Sequence, residues 1–352
     1  MMKKLIFPLL FVLGISTHVD AQKPYKAYMV SNTHLDTQWL WTVQTTIDHY
    51  LYRTLTQNFW LIDHYPGYIF NFEGAVRYQW AKEYYPTEYE RLKNYIKAGR
   101  WNISGSSWDS TDPNIPSPES FFRNLLYGQE FFKKEFGKKS NDIFLPDCFG
   151  FGYTLPTIAA HSGIIGFSTQ KLQHRKLPFY GDHKLPFMFG LWEGIDGARI
   201  MAVPHAQDYV SRFDGQELSN NGKLVDLAKN GLNNTVYHYY GAGDRGGSPT
   251  IASVRSVETG MKGEGPVQII SARSGQLFDD YYPFEKHPEL LVFKGELLMD
   301  VHATGCYTSQ AAMKLFNRRN ELLADAAERA SVVAEWLGGA AYPEEPLRES
   351  WQ

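Results

Sequence analysis

Short apolar runs recur along this chain, separated by stretches of helical pattern. Ala27–Val30 (AYMV), Tyr68–Phe70 (YIF), Ile143–Leu145 (IFL), Ile165–Phe167, Ile200–Val203 and Val236–Tyr240 (VYHYY) read as buried strands. Between them, Thr87–Ala98, Pro118–Phe136 and Leu224–Asn230 carry helical spacing. Strands that alternate with helices predict βαβ units, and so an α/β fold with a largely parallel sheet or a barrel. The pattern changes near residue 300. Ala311 to Leu337 contains neither Gly nor Pro, and Met313, Phe316, Leu322, Leu323, Ala326, Ala330, Val333 and Trp336 fall near helical spacing on a charged background. One long amphipathic helix is expected there, stopped by Gly338-Gly339, with an apolar stripe that needs partners. A further helix-like phrase, EEPLRESWQ, runs to Gln352, and the uncovered stripe suggests an incomplete chain.

The N-terminus reads as an export signal. Lys3 and Lys4 precede the apolar run Leu5–Ile15, and Val19-Asp20-Ala21 ends on a small residue before Gln22. That run is well short of the ~20 apolar residues a bilayer span needs. The expected organisation is a signal peptide over 1–21, an α/β catalytic domain over 22–300 and the start of a helical domain over 301–352. The mature protein is expected in the periplasm or secreted, without membrane insertion.

Composition narrows the function classes. With 35 basic against 38 acidic residues the net charge is −3, and no basic run offers a nucleic-acid footprint. Hydrophobic residues at 43% and charged ones at 21% describe a packed globule. Aromatics at 15% supply flat apolar faces with polar tips, which suit sugar rings as well as cores. Cys148 and Cys306 are too few for a disulfide framework, and two free thiols are expected.

Candidate chemistry sits where strands run out. His34 and Asp36 follow the first strand two residues apart, so in an extended segment their side chains share one face. An imidazole and a carboxylate so placed can hold two positions of a divalent metal such as zinc, although most such triplets are ordinary loop residues. Asp147 follows the strand IFL, with Gly150 and Gly152 behind it; it is either a solvated helix cap or a carboxylate facing the same mouth. Asp244 lies in the glycine-rich loop GAGDRGG after VYHYY, which carries no Lys-Ser/Thr and so is no phosphate loop. Singly, each reads as structural. Together, three acidic groups at different strand ends match how parallel α/β folds assemble active sites.

In order along the chain, SNTHLDTQWLW (31–41), FNFEGAVRYQW (70–80), GRWNISGSSWDSTDPNIPSPES (99–120), LPDCFGFGYTLP (145–156), GFSTQKL (166–172), FGLWEGIDGARI (189–200), YGAGDRGG (240–247) and GCYTSQAAMKLFNRRNELLADAAE (305–328) resemble the N-terminal catalytic region of the glycoside hydrolase family 38 α-mannosidases. The resemblance implies a (β/α)7-type barrel or largely parallel sheet with surrounding helices, followed by the start of an α-helical bundle. It implies one zinc ion with His34, Asp36 and Asp147 as ligands, Asp147 as nucleophile and Asp244 as candidate acid/base. Trp39, Trp108, Asp112 and Phe149 match positions that line the sugar site, with core packing the competing role for Trp39 and Phe149. The implied reaction is retaining hydrolysis of α-mannosides in glycans, in which the nucleophile must be ionised and the acid/base protonated when it first acts. Retention requires the two carboxyls about 5–5.5 Å apart.

Two departures from the family pattern stand out. Arg245 follows Asp244 where similar enzymes commonly carry His, which bears on acid strength and specificity. Similar enzymes also take a fourth zinc ligand from a His-Asp pair in the helical region, and no histidine follows His302 here. His302 is read as a sugar contact or a packing residue, and the 352-residue form is expected to be poorly active or inactive. Two other functions fit part of the pattern. A metal-dependent carbohydrate deacetylase would not need Asp244 as a proton donor. A non-catalytic sugar-binding remnant would keep mannose affinity without Asp147.

Overall fold

The computed structural model describes residues 23–174, 186–299 and 304–352. The expected export signal and His302 lie outside these residues. Among them no helix is long and apolar enough to cross a membrane.

Among the described residues ten strands form two sheets. The first contains β1 (Tyr25–Thr33), β2 (Phe70–Glu73), β3 (Trp101–Ser104), β8 (Thr235–Ala242) and β9 (Val267–Ser271); the second contains β4 (Asp142–Phe144), β5 (Gly166–Ser168), β6 (Gly190–Glu193), β7 (Arg199–Val203) and β10 (Val292–Lys294). β1 is the axis of the first sheet. β8 pairs along its whole length, from Lys26↔Thr235 to Thr33↔Ala242. Its other edge is shared, with β9 opposite Tyr25–Met29 and β2 opposite Ser31 and Asn32. Ala27 to Thr33 are all buried, which is why this strand reads as a continuous run rather than an alternation. Among the described strands every pairing is parallel except β6 with β7.

The sheets approach each other at two edges through hydrogen bonds outside any strand ladder. Gly105 N–H donates to Asp142 Oδ1 at 3.2 Å beside β3 and β4, and Tyr239 N–H of β8 donates to Ala206 O, just past β7, at 2.8 Å. No continuous ladder closes the described strands, so the largely parallel sheet with surrounding helices is the form observed. The parallel strands deliver their carboxyl ends to one side, where the site lies.

β3, β6, β9 and β10 have no counterpart among the expected strands. Each is short and carries a polar residue, Asn102, Glu193, Gln268 and Lys294 respectively, so the hydrophobic pattern gives little sign of them. The expected helices form, and Pro118–Phe136 does so with the predicted bounds: Ser117 caps it by accepting from Ser120 N–H at 3.2 Å, and Gly137 ends it at φ +67°. Cys148 and Cys306 are free thiols.

The long C-terminal helix spans Ala311–Trp336, followed by a helix at Glu344–Trp351. The contact of Ala311–Trp336 with Pro118–Phe136 includes a polar set of bonds, and much of the apolar stripe stays uncovered. Glu321 accepts from Ser117 N–H and from the Ser120 hydroxyl, each at 2.8 Å, and Arg123 pairs with Glu328 at 2.6 Å. Met313, Phe316, Leu323, Val333 and Trp336 are exposed.

Candidate active site

β1 pairing with β8 outlasts both strands. His34 N–H donates to Ala242 O at 3.0 Å and Asp36 N–H to Asp244 O at 2.8 Å, with Leu35 bridged to Arg245. Leu35 is fully buried and turned into the core. The residues on either side of it therefore share the opposite face, as their two-residue spacing predicts. Arg77, itself buried, locks this segment: its Nε donates to Leu35 O at 3.0 Å and its Nη1 pairs with Asp109 Oδ1 at 2.8 Å. The Thr37 hydroxyl donates to the other Asp109 oxygen at 2.6 Å.

The His34 ring is held at both nitrogens. Nε2 lies 3.0 Å from Asp36 Oδ1, and Nδ1 lies 2.9 Å from Glu73 Oε1 at the end of β2. Burial alone would lower its pKa, but the hydrogen bonds to Asp36 and Glu73 outweigh it and raise the value to about 10. Asp147, just beyond β4, turns Oδ2 toward the same Nε2 at 3.9 Å. Asp147 is thus one of the inward-facing carboxylates rather than a solvated cap, with its side chain 18% exposed.

His34, Asp36 and Asp147 each offer one ligand atom, and these atoms lie within 4.8 Å of one another. One imidazole nitrogen and two carboxylate oxygens suit a divalent metal, and Nε2 is the ring nitrogen turned toward both Asp36 and Asp147. The residues present fit such an ion.

The other oxygen of Asp147 faces two further groups. Lys171, beyond β5, forms an ion pair with Asp147 Oδ1 and sets its ammonium 5.1 Å from the centre of the Phe149 ring. The Tyr209 hydroxyl, beyond β7, lies 3.3 Å from Asp147 Oδ1 and 2.9 Å from Asp244 Oδ1. Burial first, and then the charges of Asp147 and Asp244, hold the Tyr209 phenol far above its ordinary pKa, so it stays a hydroxyl. Gly243 makes room for this ring. A Cβ there would stand 2.0 Å from Tyr209 Cε2. Asp244 itself has φ +59°, a left-handed conformation that Asp tolerates better than most residues.

The other expected contacts divide. Phe149 is half-buried beside Lys171. Asp112 lies close to Asp147: burial first, and then that neighbouring charge, raise its pKa against hydrogen bonds from Phe149 N–H and Tyr307. Trp39 is 58% exposed, edge-on to Trp41 with centroids 5.9 Å apart, so it is not a core residue. Trp108 packs edge-on to Phe131 at 6.0 Å against the core. The Cys148 thiol is buried, and burial raises its pKa well above the usual value, which makes it inert. Glu73, Lys171 and Tyr209 were not singled out from sequence. Their nearest signals are a charge closing the apolar run FNFE and a lone Lys in GFSTQKL, while Tyr209 is one of 22 tyrosines.

Comparison with known proteins fits this arrangement. Residues 24–296 match the model of the glycosyl hydrolases family 38 N-terminal domain. Alpha-mannosidase G of Dictyostelium discoideum is 36% identical over 338 residues, covering 95% of this chain and 30% of that protein. Alpha-mannosidase 2C1 of Homo sapiens is 30% identical over 337 residues, covering 94% of this chain and 31% of that protein. The chain therefore spans about a third of the length of these relatives. Among solved structures, an alpha-mannosidase from Enterococcus faecalis V583 superposes with TM-score 0.72 at 20% identity, over 93% of this chain and 37% of that one, a likeness of fold. The strand-end motifs, the mostly parallel sheet and a match across most of its length agree: the chain belongs to glycosyl hydrolase family 38, as its N-terminal domain.

Proposed function

We propose that this chain carries the catalytic centre of a zinc-dependent, retaining α-mannosidase acting on terminal mannosides of glycans. The observation that carries the reading is the Tyr209 hydroxyl, which touches the carboxylates of both Asp147 and Asp244. Those two oxygens can be no further apart than its two contacts, 3.3 and 2.9 Å, laid end to end. That limit falls short of the ~6.5 Å at which inverting pairs begin, and favours retention.

In this reading Asp147 is the nucleophile. Its carboxylate attacks the anomeric carbon as the bond to the leaving oxygen breaks, while Asp244 gives that oxygen its proton. A mannosyl ester on Asp147 results. Asp244 then takes a proton from water, whose oxygen attacks the same carbon and releases mannose with the configuration kept. Lys171 pairs with Asp147 Oδ1, and Phe149 sits beside that pair at the mouth. Trp39 offers an exposed ring for sugar stacking, Asp112 a polar contact, and Trp108 a wall behind them. His34, Asp36 and Asp147 would hold the zinc, which supplies a Lewis-acid contact for sugar hydroxyls and steadies charge near the reacting carbon. The expected export and the boundaries of the signal, catalytic and helical segments form part of the same proposal.

The test is covalent trapping. The purified chain, incubated with zinc and a slowly turned-over fluorinated mannoside, is digested and analysed by mass spectrometry. A mannosyl adduct on the peptide carrying Asp147, absent in Asp147→Asn, supports the reading; an intact Asp147 peptide with mannose released in inverted configuration overturns it.

A further inference from the structure

Glu73 has a position that its strand does not explain. It ends β2, is 1% exposed, and its carboxylate has one hydrogen-bond partner among the described residues, His34 Nδ1 at 2.9 Å. Its second oxygen, Oε2, is buried with no partner. A buried carboxylate costs several kcal/mol unless it is paired, so an apolar residue would suit this strand end better on stability alone. The carboxylate faces away from the metal-binding nitrogen and grips the other one.

An imidazole can offer a metal only the nitrogen that has no proton. Which nitrogen that is depends on what the other one bonds. Glu73 accepts at Nδ1, and Nε2 is the nitrogen shared with Asp36 and Asp147. We infer that Glu73 is a positioning residue for the metal centre: it keeps the proton of His34 on Nδ1 and aims Nε2 at the ion. The inference rests on the metal reading above and adds to it the group that orients the ligand. Gln at this position is isosteric but ambiguous. Its amide can donate to Nδ1, which moves the ring proton to Nε2 and blocks the ligand face.

The test is a cobalt(II) titration of the intact 352-residue chain, followed by calorimetry and by the visible absorption of the bound ion. It is paired with 15N–1H spectra of selectively labelled histidines. Wild type, Glu73→Gln and Asp142→Asn are compared, with circular dichroism as the folding check. Asp142 is the control because it is equally buried and also has an unpartnered oxygen, yet it bonds Ser140 and Gly105 rather than His34. Glu73→Gln is expected to weaken cobalt binding about 10- to 100-fold and to remove the Nδ1–H signal of His34. Asp142→Asn is expected to leave both unchanged. If wild type binds cobalt and Glu73→Gln binds it equally well with Nδ1 still protonated, the inference is overturned while the metal reading stands. Loss of affinity in both variants alike also overturns it, as a general effect of disturbing the interior. If wild type takes up no cobalt, the metal reading falls and takes the inference with it.

Discussion

The hydroxyl of Tyr209 lies 2.9 Å from Asp244 Oδ1, and the same oxygen reaches Asp147 Oδ1 at 3.3 Å. One phenol from the end of β7 therefore ties together two carboxylates from the ends of β4 and β8. A hydroxyl has one proton to donate, so it satisfies one carboxylate and leaves the other to Lys171 or to substrate.

Tyr209→Phe removes that link and leaves the ring. A hydrogen bond to a charged group is worth about 1.5–3 kcal/mol, which converts to a rate loss of about 10- to 100-fold. In the mannosidase reading the loss should be larger for mannosides with poor leaving groups, because these depend on proton donation by Asp244. A kcat series over aryl mannosides of graded leaving-group pKa measures this; an unchanged slope would contradict the assigned contact.

Gly243→Ala should disturb the same link from below. The added methyl would meet the Tyr209 ring at 2.0 Å, and the ring must shift off the two carboxylates. Overpacking of this kind costs about 1–3 kcal/mol. Thermal unfolding and turnover together check the outcome, with activity expected to fall further than stability alone explains.

Arg77→Met should loosen the loop carrying Asp36. The guanidinium is 1% exposed and holds both Leu35 O and Asp109. Removing one partner of a buried pair costs about 3–5 kcal/mol, a figure toward whose lower end the partly exposed Asp109 argues. Urea unfolding reads the stability, and metal affinity should fall alongside it.

Acid should destabilise the domain through His238. This β8 residue is buried with Nε2 unpartnered, and burial lowers its pKa to about 4 despite a hydrogen bond with Tyr239 O. The folded state thus binds its proton less readily than the unfolded chain, where His titrates near 6.5. Stability contributed by neutral His238 is complete above about 6.5 and is lost progressively as pH falls toward 4, on the order of 3 kcal/mol at full extent. His34 acts in the opposite direction: in the metal-free chain its raised pKa adds stability below 6.5 that disappears as pH climbs through about 10. Urea unfolding of wild type and His238→Leu at pH 7 and pH 4.5 separates the two, with the variant expected to show the shallower acid slope.

The legible part of the site was local in sequence. His34 and Asp36 could be paired because a two-residue spacing at a strand end fixes which face each side chain takes, and buried Leu35 shows that geometry realised. Asp147 and Asp244 stood out as charges closing apolar runs. Lys171 and Tyr209 are illegible because nothing local marks them, and Glu73 closes a run, FNFE, that Asn71 already makes polar. Lys171 reaches Asp147 from a neighbouring strand end, and Tyr209 reaches Asp244 through a loop whose course no periodicity encodes. The fold behaves similarly: the apolar runs inside β1 and β8 can be read, whereas WNIS and GLWE owe their strand state to pairing partners. The long helix docks through Glu321 and Glu328, which a hydrophobic pattern cannot report.

Diffraction at the zinc absorption edge from crystals of this chain grown with zinc tests the central claim most directly. The expected result is one anomalous peak bonded to His34 Nε2 and to a carboxylate oxygen from each of Asp36 and Asp147, at about 2.0–2.2 Å. Those three side chains pointing to separate surfaces, with zinc elsewhere or nowhere, would contradict it.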